Sequence, residues 1–338
     1  MTKVIACIIT YNHESYIKNC LEGALAQKVN FSYEIIISED CSTDKTREIL
    51  KEYANKYPDK IKLYLNEKNL GLTGNWIQSL KLCNHSEYIA ICEGDDYWTD
   101  INKLQKQIDF LDNHPDFALS SHNADVIQEI NKKNEIIREY CDKNHPEIMD
   151  LSYILEYGSG CPTHSLVIKN KTIRNLPDWF SKMHACDWTL QAIAASGGKM
   201  KYYKEKMGVY RKHKKGANFS SKINAQAKGE SDFALPSKYT LEMISALNKH
   251  YNYKYEKELR KQSAYWHNLY VIEYMGINDE KNAKKYARKI LKEIFPLNHW
   301  DNALWMNKER FIKIFFIALC PIFILKMLKI LKNIYDRT

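Results

Sequence analysis

The chain has 338 residues and a formal net charge of +9, with 45% hydrophobic and 27% charged residues. That balance is ordinary for a globular protein and excludes a disordered or collagen-like chain, while the length allows two domains or one large α/β domain with an appendage. Nine cysteines are present, none at C-x-x-C spacing, which argues against a zinc site and a disulfide framework and for a reducing cytosol.

Val4 to Ile9 is a continuous apolar run close to the N-terminus, the pattern of a strand buried on both faces. No longer apolar stretch with a small-residue cleavage site precedes it, so the expectation is a cytoplasmic protein. Tyr16, Ile17, Cys20, Leu21, Ala24 and Leu25 recur at helical spacing and form one apolar stripe. Tyr33 to Ile37 reads as a second strand. Ser42 or Thr43 is expected to cap the helix that carries Ile49, Leu50 and Tyr53. Ile61 to Leu65 is a third strand, Thr73 to Leu82 a helix and Tyr88 to Cys92 a fourth strand. Leu104, Ile108 and Leu111 then mark another helix. This alternation implies a mostly parallel sheet with helices on both faces.

Residues 117–215 read as mixed, with strands over Phe117 to Ala124, Ser165 to Lys169 and Lys199 to Arg211. A helix is expected over Asp187 to Ala195, ending at Gly197 and Gly198. Beyond about Ile223 the pattern turns helical. The expected divisions are an α/β domain over 1–220, a helical region over 221–305 and a basic amphipathic tail over 306–338.

Ligands of parallel α/β sheets bind beyond the carboxyl ends of the strands. The polar segments fall there: Thr10-Tyr11-Asn12, Ser38 to Asp44, Asn66 to Asn75, and Glu93-Gly94-Asp95-Asp96. Three carboxylates within four residues repel one another unless a cation or hydrogen-bond donors compensate. A hard divalent ion such as Mg²⁺, shared with phosphate oxygens, resolves that conflict, whereas a solvated acidic turn is the bland alternative. Asp40 precedes the helix cap and suits a nucleobase N–H. The loop Asn69 to Asn75 carries neither the P-loop nor the dinucleotide fingerprint.

Ile8-Ile9-Thr10-Tyr11-Asn12, Ser38-Glu39-Asp40-Cys41-Ser42-Thr43-Asp44, Asn69-Leu70-Gly71 and Glu93-Gly94-Asp95-Asp96 together resemble the family 2 glycosyltransferases, over roughly residues 3–215. The resemblance implies a GT-A (Rossmann-like) α/β fold, a nucleotide-sugar donor, most simply UDP-linked, and Mn²⁺ or Mg²⁺ as cofactor. It implies that Thr10, Tyr11 and Asp40 hold the nucleoside, with Asn12, Glu14 and Asn69 in the same motifs assigned to the donor. Asp95 is expected near the ribose or sugar and Asp96 on the metal. Glu93 stands where an Asp is commoner. His184-Ala185-Cys186-Asp187-Trp188 resembles the acceptor-side segment, making Asp187 the expected catalytic base, although an Asp there also suits a helix N-terminus. Tyr210-Arg211-Lys212-His213-Lys214-Lys215-Gly216 resembles the segment whose histidine, here His213, completes the metal site or meets the leaving diphosphate.

The implied reaction is an inverting transfer to a saccharide or lipid-linked hydroxyl in cell-surface polysaccharide, lipooligosaccharide or glycan assembly. A sugar nucleotidyltransferase is the rival enzyme, but it calls for a basic glycine-rich loop where Thr10 to Glu14 stands. The positive charge alone would also suit a nucleic-acid-binding protein, yet no such motif occurs, so no nucleic-acid partner is expected. Phe311 to Leu325 is apolar except for Lys313 and falls short of a bilayer span. The lysines that follow suit either peripheral contact at the cytoplasmic face of the inner membrane or a helix that packs on the domain.

Overall fold

A computed structural model describes residues 2–130, 133–183, 186–213, 234–276 and 280–294. The chain divides into two compact units between Gly216 and Ala217. The tail over 306–338, with Lys214, Lys215, His184 and Ala185, lies outside the described residues. No helix among the described residues is long and apolar enough to cross a membrane.

The first unit opens with β1 (Thr2–Thr10), α1 (Ile17–Leu25), β2 (Tyr33–Glu39), α2 (Thr46–Lys56), β3 (Ile61–Leu65), α3 (Gly71–Leu82) and β4 (Ser86–Glu93). These four strands run parallel in the order β3-β2-β1-β4. Central β1 explains its own composition: Val4 through Ile9 are at most 5% exposed, because helices cover both faces of a parallel sheet. Val4, Ala6 and Ile8 join Ile17, Leu21, Ile35, Ile37, Leu50 and Leu104 in one core.

After β4 come β5 (Tyr97–Trp98), α4 (Lys103–Asn113), β6 (Phe117–Ile130), β7 (Lys133–Glu139), β8 (Ile148–Met149), α5 (Leu151–Tyr157), β9 (Val167–Lys169), α6 (Asp187–Ala195) and β10 (Lys199–Lys212). β9 runs antiparallel between β4 and β6, β10 runs parallel to β6, and β5 closes the order against β10. The sheet is therefore parallel in its first half and mixed in its second. The sequence pattern does not signal β5, β7, β8 or α5. β5 and β8 are two residues long and exist through their pairing with β10, and polar β7 becomes a strand by folding back on β6.

The cap of α2 differs from expectation. Asp44 Oδ1 accepts the Thr46 backbone N–H at 2.9 Å, while Ser42 and Thr43 hold Asn12 instead. The second unit contains α7 (Ala234–His250), α8 (Glu256–Gly276) and α9 (Glu280–Ile294), in which Met243, Ile244, Leu247, Leu259, Ala283 and Ala287 are buried.

Candidate functional site

Backbone hydrogen bonds join the loops at the carboxyl ends of the parallel strands. Asp40 N–H donates to Thr10 O at 3.0 Å, Gly94 N–H to Ile9 O at 2.9 Å and Asn66 N–H to Glu39 O at 2.9 Å. Asn12 (φ 55°) and Cys41 (φ 60°) are left-handed in these loops, a conformation that surrounding contacts must enforce for Cys41 in particular. Asn12 is held by its N–H on Ser42 Oγ at 2.9 Å and its Oδ1 under Thr43 N–H at 2.8 Å.

Asp40 is 2% exposed. Its Oδ1 accepts from Asn66 Nδ2 at 2.9 Å and from the Leu70 N–H at 2.8 Å, and Asn69 Nδ2 donates to its carbonyl at 3.1 Å. Beside it the buried Glu39 carboxylate pairs with Arg47. Glu14 Oε2 accepts the Lys45 N–H at 3.1 Å. Of the expected donor-site residues, Asn12, Glu14 and Asn69 thus use side-chain atoms to brace neighbouring loops. Tyr11, 41% exposed, leaves its ring open to solvent.

The acidic segment follows β4, and Gly94 lets it approach the loop after β1. A Cβ on Gly94 would lie 2.6 Å from Thr10 Oγ1 and 2.8 Å from His13 Nδ1 and Thr10 Cβ. Thr10 Oγ1 meets His13 Nδ1 at 3.1 Å, which leaves His13 Nε2 facing Asp95 Oδ2 at 3.8 Å. From the end of β10, His213 Nε2 reaches the same oxygen at 2.9 Å. One ligand atom each from His13, Asp95 and His213 fall within 4.8 Å of one another. Burial acts to raise the Asp95 carboxyl, but His13 and His213 outweigh it and hold the group below the ordinary aspartate range.

Asp96, expected on the metal, turns the other way from Asp95 in this structure. It is 2% exposed, with Oδ2 on His164 Nδ1 at 2.9 Å and Oδ1 accepting the Arg211 N–H at 2.8 Å. Both its oxygens are engaged by His164 and Arg211, and it is Asp95 whose carboxylate lies with His13 and His213. Burial and the neighbouring Asp95 push the Asp96 carboxyl well up. Arg211 also donates Nε to Asp95 O at 3.1 Å and stacks its guanidinium 4.8 Å from the Tyr16 ring centroid. Beneath this layer His164 is pushed down to about 3 by burial, and Lys103 to about 7 for the same reason. Lys103 Nζ, 4.2 Å from the Trp98 ring centroid, has no hydrogen-bond partner among the described residues.

Asp187 is the first residue of α6. Its Oδ1 accepts the Trp188 N–H at 2.8 Å, so it supports the helix N-terminus as well as facing outward. Cys186 Sγ contacts Thr73 Oγ1 at 3.4 Å, joining the start of α6 to the start of α3. Burial raises Glu93, with smaller contributions from Asp96, Asp95 and Asp187, so these carboxylates feel one another's charge. The structure therefore brings together Thr10, Asp40, Asp95, His213 and the Asp187 region. The sequence motifs do not single out His13, which sits between Asn12 and Glu14. The signal was its place in a strand-end loop three residues after Thr10.

Residues 5–160, just under half the chain, match the family model Glycosyl transferase family 2. The chain is 37% identical over 212 residues to the uncharacterized protein Rv1520 of Mycobacterium tuberculosis, a match covering 62% of this chain and 58% of that protein. It thus spans under two thirds of that relative's length. Among solved structures it resembles S. aureus TarS 1–349 in complex with UDP-GlcNAc, with TM-score 0.53, 16% identity, and 94% and 90% of the two chains covered. It also resembles the mannosyltransferase PcManGT from Pyrobaculum calidifontis in complex with GDP-Man and Mn²⁺, with TM-score 0.53, 15% identity, and 100% and 88% covered. At these identities the structural likeness shows the fold, a GT-A-like α/β fold.

Proposed function

We propose that the chain transfers a sugar from a UDP-linked donor to a hydroxyl of a saccharide or lipid-linked acceptor, with inversion, in cell-surface polysaccharide or lipooligosaccharide assembly. The observation that carries this reading is the meeting of His13, Asp95 and His213 at the ends of β1, β4 and β10. The complexes of the similar structures TarS with UDP-GlcNAc and PcManGT with GDP-Man and Mn²⁺ support it.

The donor set fits a divalent metal. It offers two imidazoles and one carboxylate, and the buried His213 Nδ1 has no partner among the described residues. Imidazole ligands favour Mn²⁺ over Mg²⁺. A Mn²⁺ held there would neutralise charge on the departing diphosphate. Thr10 fixes the imidazole of His13, so that Nε2 faces the metal position. Asp40, whose Oδ1 is braced by Asn66 and Leu70, offers Oδ2 to the uracil N–H. Asp187, an exposed carboxylate at the first turn of α6, accepts the proton of the acceptor hydroxyl. That oxygen bonds to the anomeric carbon from one face as the bond to the diphosphate oxygen breaks on the other, releasing the nucleoside diphosphate.

The test is a screen of nucleotide sugars with Mn²⁺ against acceptor saccharides, read by mass spectrometry, on the parent and on Asp187→Asn. Loss of a general base costs about 10²–10⁴ in rate. Donor binding should survive in the variant. Transfer by Asp187→Asn at the parent rate would remove Asp187 from the reaction, and failure of every nucleotide sugar to shift the melting temperature would remove the donor assignment.

A further inference from the structure

Away from the strand-end crevice, a second cluster has the chemistry of a softer metal site. Cys141 follows β7, His145 lies four residues later, and Cys161 lies in the loop between α5 and β9. One ligand atom from each falls within 4.8 Å of the others, with Cys161 Sγ 4.0 Å from His145 Nε2. Both cysteines are buried, at 4% and 7% exposure. The fold thus assembles ligands whose sequence spacing argued against zinc, because the loop after α5 folds back over the turn that carries His145.

We propose that Cys141, His145 and Cys161 bind a structural zinc ion. Two thiolates and an imidazole are a usual zinc donor set, with bonds of about 2.3 Å to sulfur and 2.0–2.1 Å to nitrogen. Ligand atoms a few ångströms apart therefore need only a small contraction to close on the ion.

The surroundings support this beyond proximity. His145 Nδ1 lies 3.2 Å from Pro146 O and Nε2 lies 2.7 Å from Ser159 O, so both ring nitrogens face carbonyl oxygens. A neutral imidazole donates only one hydrogen bond. With Nδ1–H on Pro146 O, Nε2 presents its lone pair, the arrangement in which a backbone carbonyl orients a metal-bound histidine. Ser159 O, 2.7 Å from Nε2, accepts the Nε2–H in the metal-free chain, so binding requires the ring to exchange that bond for the one to Pro146 O. Ser121 Oγ donates to Cys161 Sγ at 3.1 Å, the kind of outer hydrogen bond that steadies a thiolate. The Tyr202 hydroxyl is buried beside the Cys141 thiol and interacts with it, which places it to steady a Cys141 thiolate or to partner a bound water.

Binding displaces the two thiol protons, now donated to Gly160 O and Ser159 O, and yields a neutral dithiolate–zinc unit. Its consequence for the crevice is positional. Cys161 lies three residues before His164, which holds Asp96, and Gly158 (φ 73°) and Gly160 (φ 65°) lie in the turn just before Cys161. A zinc ion would pin this loop.

The test uses the full chain, reduced, stripped with a chelator and titrated with Co²⁺. One equivalent should produce a thiolate-to-cobalt charge-transfer band and the visible bands of tetrahedral cobalt, and Zn²⁺ should bleach both. Asp95→Asn, which disables only the crevice site, should keep the band, as should Cys186→Ser. Cys141→Ser and Cys161→Ser should lose it. His145→Asn should weaken Zn²⁺ binding by more than the roughly 10–100-fold that loss of an outer partner costs. The proposal is overturned if the reduced parent shows no thiolate band, or if the band survives both cysteine substitutions. A Cys141–Cys161 disulfide in the isolated protein, with no band after its reduction, would also overturn it in favour of a redox link.

Discussion

Replacing Gly94 with alanine tests how closely the acidic segment and the loop after β1 are fitted together. The added Cβ would meet Thr10 Oγ1 at 2.6 Å and Thr10 Cβ at 2.8 Å, against about 3.5–4.0 Å for ordinary contact between heavy atoms. Something must move by about 1 Å, and Thr10 Cβ sits too near the main chain to swing aside. Overpacking of this kind costs about 1–3 kcal/mol. The same new atom would lie 2.8 Å from His13 Nδ1, so the imidazole must leave the position that faces Asp95. Metal sites tolerate displacements of about 0.2 Å, so Mn²⁺ affinity should fall at least about 10–100-fold. Urea unfolding reports the first effect and calorimetric Mn²⁺ titration the second. His13→Ala should lose the same affinity without the overpacking cost, and the double variant should lose little more than either alone. Gly94→Ala with the parent's unfolding midpoint and the parent's Mn²⁺ affinity would refute the fit between these loops.

Asp95→Asn should abolish Mn²⁺ binding, whereas Asp96→Asn should retain it while loosening the contacts to His164 and Arg211; the reverse order of effects in the same titration would return the metal to Asp96. Lys103→Met should stabilise the protein, and most at low pH. The fall from 10.5 to about 7 on burial corresponds to about 5 kcal/mol between the two protonation states. Between pH 7 and 10.5 the unfolded chain holds the proton that the native state releases, so the parent gains stability with rising pH in that window. The variant's advantage should thus be full below pH 7 and shrink toward pH 10.5, and urea midpoints that differ equally at pH 6 and pH 10 would contradict a buried, unpaired amine. Removal of residues 306–338 should abolish binding to vesicles of anionic lipid, and binding that persists would place the membrane contact elsewhere.

The chain-order pattern of short apolar runs and helical stripes determined the parallel half of the sheet without help from distant residues. Val4 to Ile9 must be buried on both faces wherever it lies, and the polar segments after β1, β2, β3 and β4 then reach one edge through strand direction alone. Asp40 and the acidic segment were legible for that reason. The orientation of the acids was not. Asp95 and Asp96 are neighbours in the chain, and what separates their roles is His164 and Arg211, which lie 68 and 115 residues from Asp96. Likewise β5 and β8 have too few residues to announce themselves and take their form from β10. Lys103 reads as the solvated first residue of an amphipathic helix yet is fully buried against Trp98. Cys141, His145 and Cys161 carry no recognisable spacing and meet only because the loop after α5 folds back. Periodicity is encoded residue by residue. Which atoms face one another across a hundred residues is decided only when the sheet closes.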